Sequence, residues 1–220
     1  MRDWVQWHEL YKSNLPLRIR LKLVQSQLKR ALNKASDGPV TILSLFAGDA
    51  RDLSGVLSRH ARAKDVSAYL IECNSDLVEA GRKKFDDLGL GDQVDFRVAD
   101  ATDPTSYDDI PPADIVLVCG MLGFVTSETT LDLVRALRSY LKPDGHLIWT
   151  RNLMLRNGAD HTNLFQTLLS ENEFDQKRLS KTALPFFQKK EDPVFVVGTH
   201  QYIGSTLSVP NGPFFAVNDL

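Results

Sequence analysis

Short apolar runs alternate along the chain with stretches in which apolar residues recur every three or four positions. Continuous apolar runs are typical of strands buried on both faces of a parallel sheet, and the periodic stretches predict amphipathic helices. Regular alternation of the two indicates βαβ units and hence a parallel sheet. The predicted strands cover residues 40–46, 68–72, 94–98, 115–119 and 146–150.

The C-terminal part of the chain breaks this alternation. Two β-like runs, residues 174–179 and 194–202, are close enough in sequence to pair antiparallel. With the five earlier strands they predict a doubly wound α/β fold, whose mostly parallel seven-stranded sheet ends in an antiparallel hairpin. The predicted helices begin near Ser75 and cover about 127–141 and 160–170, and KPDG at 142–145 is a predicted turn.

Ahead of the sheet, residues 1–36 predict a helical segment, which we call the prologue. Its apolar positions recur at helical spacing, and Pro16 is expected to separate two helices. The aromatic members of this stripe are Trp4, Trp7 and Tyr11. They pack on the flank of the sheet if the stripe is core, or close over a ligand if the prologue is a lid. Residues 37–220 form the ligand-binding part of what we expect to be one structural domain.

The segment TILSLFAGDARDL, residues 41–53, joins the first predicted strand to a helix. Its apolar first half stops at small residues, so the chain turns tightly at Ala47, Gly48 and Ala50. Gly48 lets the main chain approach a bound molecule closely, and the unpaired amides of a first helical turn can hold polar groups. The segment therefore predicts a ligand site.

Small and acidic residues also follow the next three strands. They are Glu72 after the second, Asp100 and Ala101 after the third, and Cys119 and Gly120 after the fourth. Ligands of open α/β sheets bind beyond the carboxyl ends of the strands. A carboxylate at Glu72 can accept both hydroxyls of a ribose, and Asp100 can accept from an exocyclic amine. Each acid alone could equally cap a helix or face solvent, but their common register favours one site.

These features resemble the class I S-adenosylmethionine-dependent methyltransferases. The glycine-containing loop, the acid ending the second strand, the acid and small residue after the third, and the segment LKPDGHLIW all have counterparts in that family. The resemblance covers residues 40–150 and extends to the terminal hairpin, and it leaves the prologue unexplained. It implies a Rossmann-like methyltransferase fold and S-adenosyl-L-methionine as cofactor.

The resemblance also implies roles for individual residues. Gly48 would approach the methionine part of the cofactor, Glu72 would bind its ribose, and Asp100 with Ala101 would face the adenine. The residues from Cys119 to Gly120 would pass beneath the methionine group. The implied cofactor-binding residues are Ala47, Gly48, Asp49, Glu72, Cys73, Asp100, Ala101, Cys119 and Gly120.

The first loop departs from the family pattern. Ser44 stands where the family has an acid, and Phe46 and Ala50 stand where it has glycines, which makes the turn less permissive. Main-chain carbonyls near Phe46 and Cys119 could meet the ammonium of the cofactor instead, with Asp49 as the nearest carboxylate. Alternatively, Asp49 and its neighbour Asp52 only favour a helix N-terminus.

The acceptor side is predicted from residues after the fourth and fifth strands and from the prologue. A methyltransferase must align an acceptor, exclude water and, for some acceptors, remove a proton. His161 is a candidate base, although an exposed histidine in the first turn of a helix is the commoner explanation. His200 lies in an apolar β run and is expected to have a structural role. Leu122 could add to an apolar wall. The substrate-side candidates are Trp7, Tyr11, Met121, Phe124, Arg151 and Asn152.

Charge, sequence motifs and cysteine content limit the kinds of binding partner that we expect. The net charge of −2 and the pI near 6.2 give no general attraction to nucleic acid or acidic membranes. The sequence CGML after the fourth strand lacks the Asn/Asp-Pro-Pro-Tyr pattern of amino-directed nucleic-acid methyltransferases, so a small-molecule acceptor is expected. Two cysteines without metal-ligand spacing indicate neither a disulfide framework nor a metal site, and no targeting or membrane segment is evident, which favours the cytoplasm.

Two other classes of function remain open from the sequence. The same strand, turn and helix could hold a nicotinamide dinucleotide, as in an NAD(P)-dependent oxidoreductase, but the residues after Gly48 lack the spacing of G-x-G-x-x-G. The altered loop is also compatible with a catalytically silent protein that binds the cofactor or a protein partner.

Overall fold

The computed structural model describes residues 10–153, 158–183, 193–205 and 207. Seven strands form one sheet in the order β3-β2-β1-β4-β5-β7-β6. The first five strands are parallel, and β7 pairs antiparallel with both β5 and β6. The predicted doubly wound fold and its terminal hairpin are therefore confirmed. The strands are β1 Val40–Leu45, β2 Val66–Glu72, β3 Val94–Val98, β4 Ala113–Cys119, β5 Leu141–Asn152, β6 Phe174–Ala183 and β7 Pro193–Tyr202.

Five α-helices connect and flank the strands. The side chains of Asn14, Asn74 and Thr126 accept main-chain hydrogen bonds and begin the first, third and fourth helices. The helices are α1 Leu15–Lys34, α2 Arg51–Leu57, α3 Ser75–Asp87, α4 Ser127–Tyr140 and α5 Gly158–Glu171. Short 3₁₀ turns, among them Leu10–Lys12, lie between these elements.

Two apolar layers cover the sheet. On one face, α1, α2 and α3 pack on β1 and β2 through a cluster that includes Leu28, Leu53 and Val78. On the other face, α4 and α5 pack on β4 and β5 around Trp149, whose ring meets that of Phe165 edge to face. The sheet is buried on both sides, which explains why its central strands read as continuous apolar runs.

Several predicted boundaries need correction. The segment 142–145 is not a separate turn; it is a bulge at the start of β5, where Asp144 has a φ of 65°. The bulge lets Leu141 pair with Ala113 and adds five residues to the strand before His146. Pro16 lies in the first turn of α1, where its missing N–H costs nothing, so the boundary between the two helical elements falls before it. Of the prologue's aromatic residues, Trp4 and Trp7 lie outside the described residues.

None of the helices within the described ranges is long and apolar enough to cross a membrane.

Candidate functional site

The turn after β1 is held in an unusual main-chain conformation. Phe46, Gly48 and Ala50 have φ values of 53°, 58° and 51°. A left-handed conformation costs a residue with a side chain about 1–2 kcal/mol. Phe46 and Ala50 adopt it although neither is a glycine, so the turn is strained at both positions. The loop is anchored by the Ala47 N–H, which donates to the Ile71 carbonyl at 3.0 Å.

Glu72 joins this turn to the end of β2. Its Oε2 accepts from the Gly48 N–H at 2.9 Å, and its Oε1 accepts from the Asn74 N–H at 3.0 Å. The carboxylate is 8% exposed and lies in the gap between the two loops. Burial and the Glu72 charge raise the pKa of the neighbouring Cys73 thiol to about 11. The predicted pair of Gly48 and Glu72 is thus joined by a hydrogen bond at the carboxyl ends of β1 and β2.

Asp49, the carboxylate nearest to the expected ammonium, is neutralised by two cations. Arg51 approaches it at 2.6 Å, and Lys84 of α3 donates to both its carboxylate and its carbonyl oxygen. Asp49 is also largely buried. These contacts tie the turn to α2 and α3, and they leave Asp49 little negative charge to offer a ligand.

A cavity of about 50 Å³ opens beside the turn. It brings together four of the residues predicted to bind the cofactor, one of the substrate-side residues, and several that the sequence did not single out. Its lining consists of Tyr11, Arg20, Leu21, Val24, Phe46, Ala47, Gly48, Asp49, Arg51, Asp52 and Cys119.

Arg20 is the most informative of the residues missed from the sequence. It is 6% exposed, donates from Nε to the Thr150 hydroxyl at 3.2 Å, and donates from Nη1 to the Tyr11 hydroxyl. A Cβ placed on Gly120 would lie 3.4 Å from Arg20 Nη2, so the guanidinium lies against the end of β4. Arg20 lies in the apolar stripe of α1 between Leu17 and Val24. A charged residue within an apolar stripe is the feature of the sequence that could have identified it as functional.

Asp52 faces the same cavity from α2. Burial raises its pKa, and the positive charge of Arg20 acts in the opposite direction. Cys119 forms another wall, and burial raises the pKa of its thiol to about 12, so this thiol is neutral. Two arginines and two aspartates thus line the cavity, and of these Arg51 and Asp49 form an ion pair with each other, which leaves Arg20 and Asp52.

Asp100 and Ala101 lie at the end of β3, next to β2. The Asp100 Oδ1 accepts from both the N–H and the hydroxyl of Thr102 at 2.8 Å, and its side chain is exposed. Ala101 is buried, and its carbonyl accepts from the Tyr107 hydroxyl at 2.7 Å. Both residues are at the expected edge of the sheet.

The acceptor-side candidates fall in different surroundings. Met121 and Leu122 are buried in the core under α4, whereas Phe124 and Asn152 are partly exposed. Trp7 lies outside the described residues, and Arg151 is 3% exposed at the end of β5. The predicted apolar wall is thus mainly core.

His161 lies between Arg151 and Ser127. Arg151 Nη2 is 3.1 Å from His161 Nδ1, and the Ser127 hydroxyl is 2.8 Å from His161 Nε2. Because arginine only donates, Nδ1 accepts and the proton of neutral His161 is on Nε2, which donates to Ser127. The lone pair that a general base needs is engaged by Arg151.

Comparison with known families gives a match to the central part of the chain. The profile of a family described as "Methyltransferase domain" matches residues 42–145, from β1 to the bulge at the start of β5. No curated protein sequence is significantly similar to the chain. The match covers the turn and the ends of β2, β3 and β4, and it leaves out α1 and the terminal hairpin.

Several solved structures with the same fold are methyltransferases by description. The CurJ carbon methyltransferase has a TM-score of 0.69 and 17% identity, covering 92% of this chain and 59% of its own. A proposed rRNA methylase from Clostridium thermocellum has a TM-score of 0.59 and 15% identity, covering 82% of this chain and 96% of its own. A geranyl diphosphate methyltransferase, solved with GPP and sinefungin, has a TM-score of 0.59 and 13% identity, covering 81% of this chain and 77% of its own. At these identities the likeness concerns the fold.

Proposed function

We propose that the chain, whose residues 42–145 match the profile of a methyltransferase domain, transfers a methyl group from S-adenosyl-L-methionine to a small-molecule acceptor. The observation that carries the proposal is the hydrogen bond between the Gly48 N–H and Glu72, because it places a close-approach turn beside a carboxylate. A carboxylate beside such a turn can accept hydrogen bonds from the hydroxyls of a ribose.

Glu72 retains capacity to bind the ribose hydroxyls. A carboxylate has about four lone-pair positions. The main-chain donors of Gly48 and Asn74 occupy two of them, and the Cys73 thiol, 3.6 Å from Oε1, is a weak third donor that a ribose hydroxyl can replace. Asp100, exposed at the neighbouring strand end, is the proposed acceptor for the amino group of the base. Both assignments rest on the order of the strands, since β1, β2 and β3 are neighbours in the sheet.

We assign the methionine end of the cofactor to the cavity beside the turn. Its amino-acid group has one positive and one negative charge, and Asp52 and Arg20 supply the opposite charges there. Asp52 is a better partner for the ammonium than Asp49, because two cations already neutralise Asp49. Arg20 donates to Thr150 of β5, so the sheet holds its guanidinium before the ligand arrives, and Tyr11 adds a second contact.

Bound S-adenosylmethionine supplies an activated methyl group, so the chain itself has to orient two ligands and exclude water. Tyr11 is placed to contribute to exclusion, because its ring lies 4.5 Å from the Arg51 guanidinium at the cavity mouth. His161 is not proposed as a base, since its Nδ1 accepts from Arg151. The acceptor's own acidity, or another group, would account for any proton transfer.

A small acceptor is favoured by the net charge of −2. Calorimetry tests the cofactor: S-adenosylhomocysteine should bind the full chain, and NAD should not. Thermal unfolding provides a second measurement, because a ligand at a hundred times its dissociation constant stabilises by about 2.7 kcal/mol. Tight binding of NAD alone would favour an oxidoreductase over a methyltransferase. If neither S-adenosylhomocysteine nor NAD binds, the proposed cofactor is wrong.

A further inference from the structure

Arg151 is a buried cation with unused hydrogen-bonding capacity. It is 3% exposed, and its Nε is buried without an acceptor. Within the described residues, the one hydrogen bond of its side chain runs from Nη2 to the neutral ring of His161. Among the described residues no carboxylate forms an ion pair with it, and burial lowers the pKa of its guanidinium. The charge of Arg151 is therefore not compensated within the described part of the chain.

An uncompensated charge of this kind is costly. Removing an ion from water costs several kcal/mol even after the protein relaxes, and an apolar side chain of similar volume would be more stable in its place. The same low dielectric strengthens the attraction of the guanidinium for an anion that reaches it. A ligand with negative charge would supply both the missing charge and the missing acceptor.

The surroundings of Arg151 define the rest of such a ligand. Arg151 borders a cavity of about 10 Å³, which holds about one water. Trp149 and Phe165 meet edge to face at 5.2 Å on its wall. The other lining residues are Leu122, Val125, Thr130, His161 and Thr162. His161 is partly exposed, so a shift of its ring would enlarge the cavity and uncover the guanidinium.

This cavity is linked to the proposed cofactor end through β5 and the loop after β4. The loop after β4 begins at Gly120, beside Arg20, and continues to Leu122 and Val125 on the cavity wall. In β5, Thr150 bonds to Gly120 and Arg20, and Arg151 is the following residue on the opposite face of the sheet. Consecutive residues of β5 thus border the two cavities, which would let Arg151 anchor an acceptor whose reacting atom lies elsewhere.

We propose that Arg151 binds a carboxylate of the acceptor, which is accordingly a small carboxylic acid with an apolar or aromatic body. The planar guanidinium edge matches the two oxygens of a carboxylate. The cavity has room for about one water, which favours the smaller carboxylate over a tetrahedral phosphate. The inference rests on the proposed function, because it names the acceptor class of the same site.

The test uses the ¹⁵N-labelled full chain and benzoate, with neutral benzamide as the matched probe. The Nε–H signal of Arg151 is identified by its loss in Arg151→Met. Benzoate should shift this signal with saturation, benzamide should not, and Arg151→Met should weaken benzoate binding roughly tenfold or more. Arg135→Met is the control, since Arg135 is exposed on α4, and it should leave benzoate binding unchanged.

A purely structural Arg151 predicts a different result. If Arg151 stabilises the fold, Arg151→Met lowers the melting temperature and benzoate leaves the Nε–H signal unchanged, and the proposal is overturned. We expect the melting temperature without ligand to be unchanged or raised. Phenyl phosphate binding more tightly than benzoate would overturn the assignment of a carboxylate.

The two proposals fail in distinguishable ways. S-adenosylhomocysteine should bind Arg151→Met as it binds the parent chain, because Arg151 does not line the cofactor cavity. If the parent chain does not bind S-adenosylhomocysteine, the proposed function fails, while the benzoate titration still shows whether Arg151 binds an anion. If the cofactor analogue binds and benzoate does not, only the acceptor class is wrong.

Discussion

Gly48 donates its main-chain N–H to the Glu72 carboxylate at 2.9 Å, so the turn after β1 and the end of β2 are one hydrogen-bonded unit. Oε1 of the same carboxylate accepts from the Asn74 N–H, at the start of α3. Glu72 therefore shapes two loops as well as presenting oxygen atoms at the strand ends. A variant at this position has to separate the structural role from the binding role.

We expect Glu72→Ala to weaken S-adenosylhomocysteine binding by about 1.5–3 kcal/mol, because ribose hydroxyls left unpaired lose charge-assisted hydrogen bonds. Glu72→Gln is the matched variant, since its amide oxygen can still accept from Gly48 or Asn74. It should lower the melting temperature less than Glu72→Ala, because it loses one of the two main-chain hydrogen bonds, and it should show an intermediate affinity by calorimetry. Unchanged affinity in a folded Glu72→Ala chain would exclude the ribose assignment.

The positions of Gly48 and Glu72 could be predicted because strand ends are local features of the sequence. An apolar run that stops at small residues locates a turn, and the parallel order of strands brings the following acids to one edge. The seven-stranded sheet followed from the same pattern. The bulge at 142–145 was misjudged because KPDG is a strong turn signal, and its pairing with β4 depends on a distant residue, Ala113.

Arg20 and Asp52 could not be assigned in the same way. Arg20 reaches Thr150, which is 130 residues away in sequence, and no local pattern predicts that contact. The sequence indicates Asp49 as the nearest carboxylate to the ammonium, but Lys84, 35 residues away, neutralises it. Side-chain pairing across the fold decides which carboxylate can meet a ligand.

Gly48→Val should abolish cofactor binding. Gly48 has a φ of 58°, a conformation that a β-branched residue adopts only with strain, and its side chain would enter the ligand's space. Gly89→Val is the control, because Gly89 has a φ of 65° and open space around its Cβ position, far from the turn. Calorimetry should show no binding in the first variant and parent affinity in the second. Parent affinity in a natively folded Gly48→Val chain would place the ligand elsewhere.

Asp52→Asn should stabilise the chain without ligand near neutral pH and weaken S-adenosylhomocysteine binding. Burial raises the pKa of folded Asp52 above the unfolded value. Above the folded pKa the buried negative charge destabilises the folded state, and this destabilisation is relieved as the pH falls and the carboxyl group is protonated. The difference in melting temperature between variant and parent should therefore shrink toward about pH 4. A difference that is independent of pH would mean that Asp52 is not a buried charge.

His200 should make stability fall in mild acid. Burial lowers its pKa to about 4, and its Nδ1 accepts from the Trp149 Nε1–H at 3.1 Å. The unfolded chain binds a proton near pH 6.5 and the folded chain does not, so this contribution is complete above pH 6.5 and is lost as the pH falls toward 4. Urea unfolding at about pH 5 should show a loss of about 2 kcal/mol relative to about pH 7.5. His200→Gln should reduce that loss, and an equal loss in the variant would assign it to other groups.

The last prediction concerns the prologue, which the matched family profile does not include. Tyr11 contacts Arg20 and Arg51 at the cavity and packs partly against Leu17 and Phe195, so it lies between the cofactor end and the sheet. A lid must open, and elements that move have low local stability. We expect hydrogen exchange at residues 3–14 to slow when S-adenosylhomocysteine binds.

Deletion of Met1 to Ser13 should then leave a folded domain with weakened cofactor binding. Tyr11→Phe is the matched variant, because it keeps the ring over Arg51 and removes only the hydroxyl that accepts from Arg20. It should lose less affinity than the deletion, since Arg20 still bonds to Thr150. If the prologue is core instead, residues 3–14 will be protected without ligand and the deletion will lower the melting temperature. In that case the aromatic stripe stabilises the flank of the sheet, and acceptor selectivity has to come from the loops after β4 and β5.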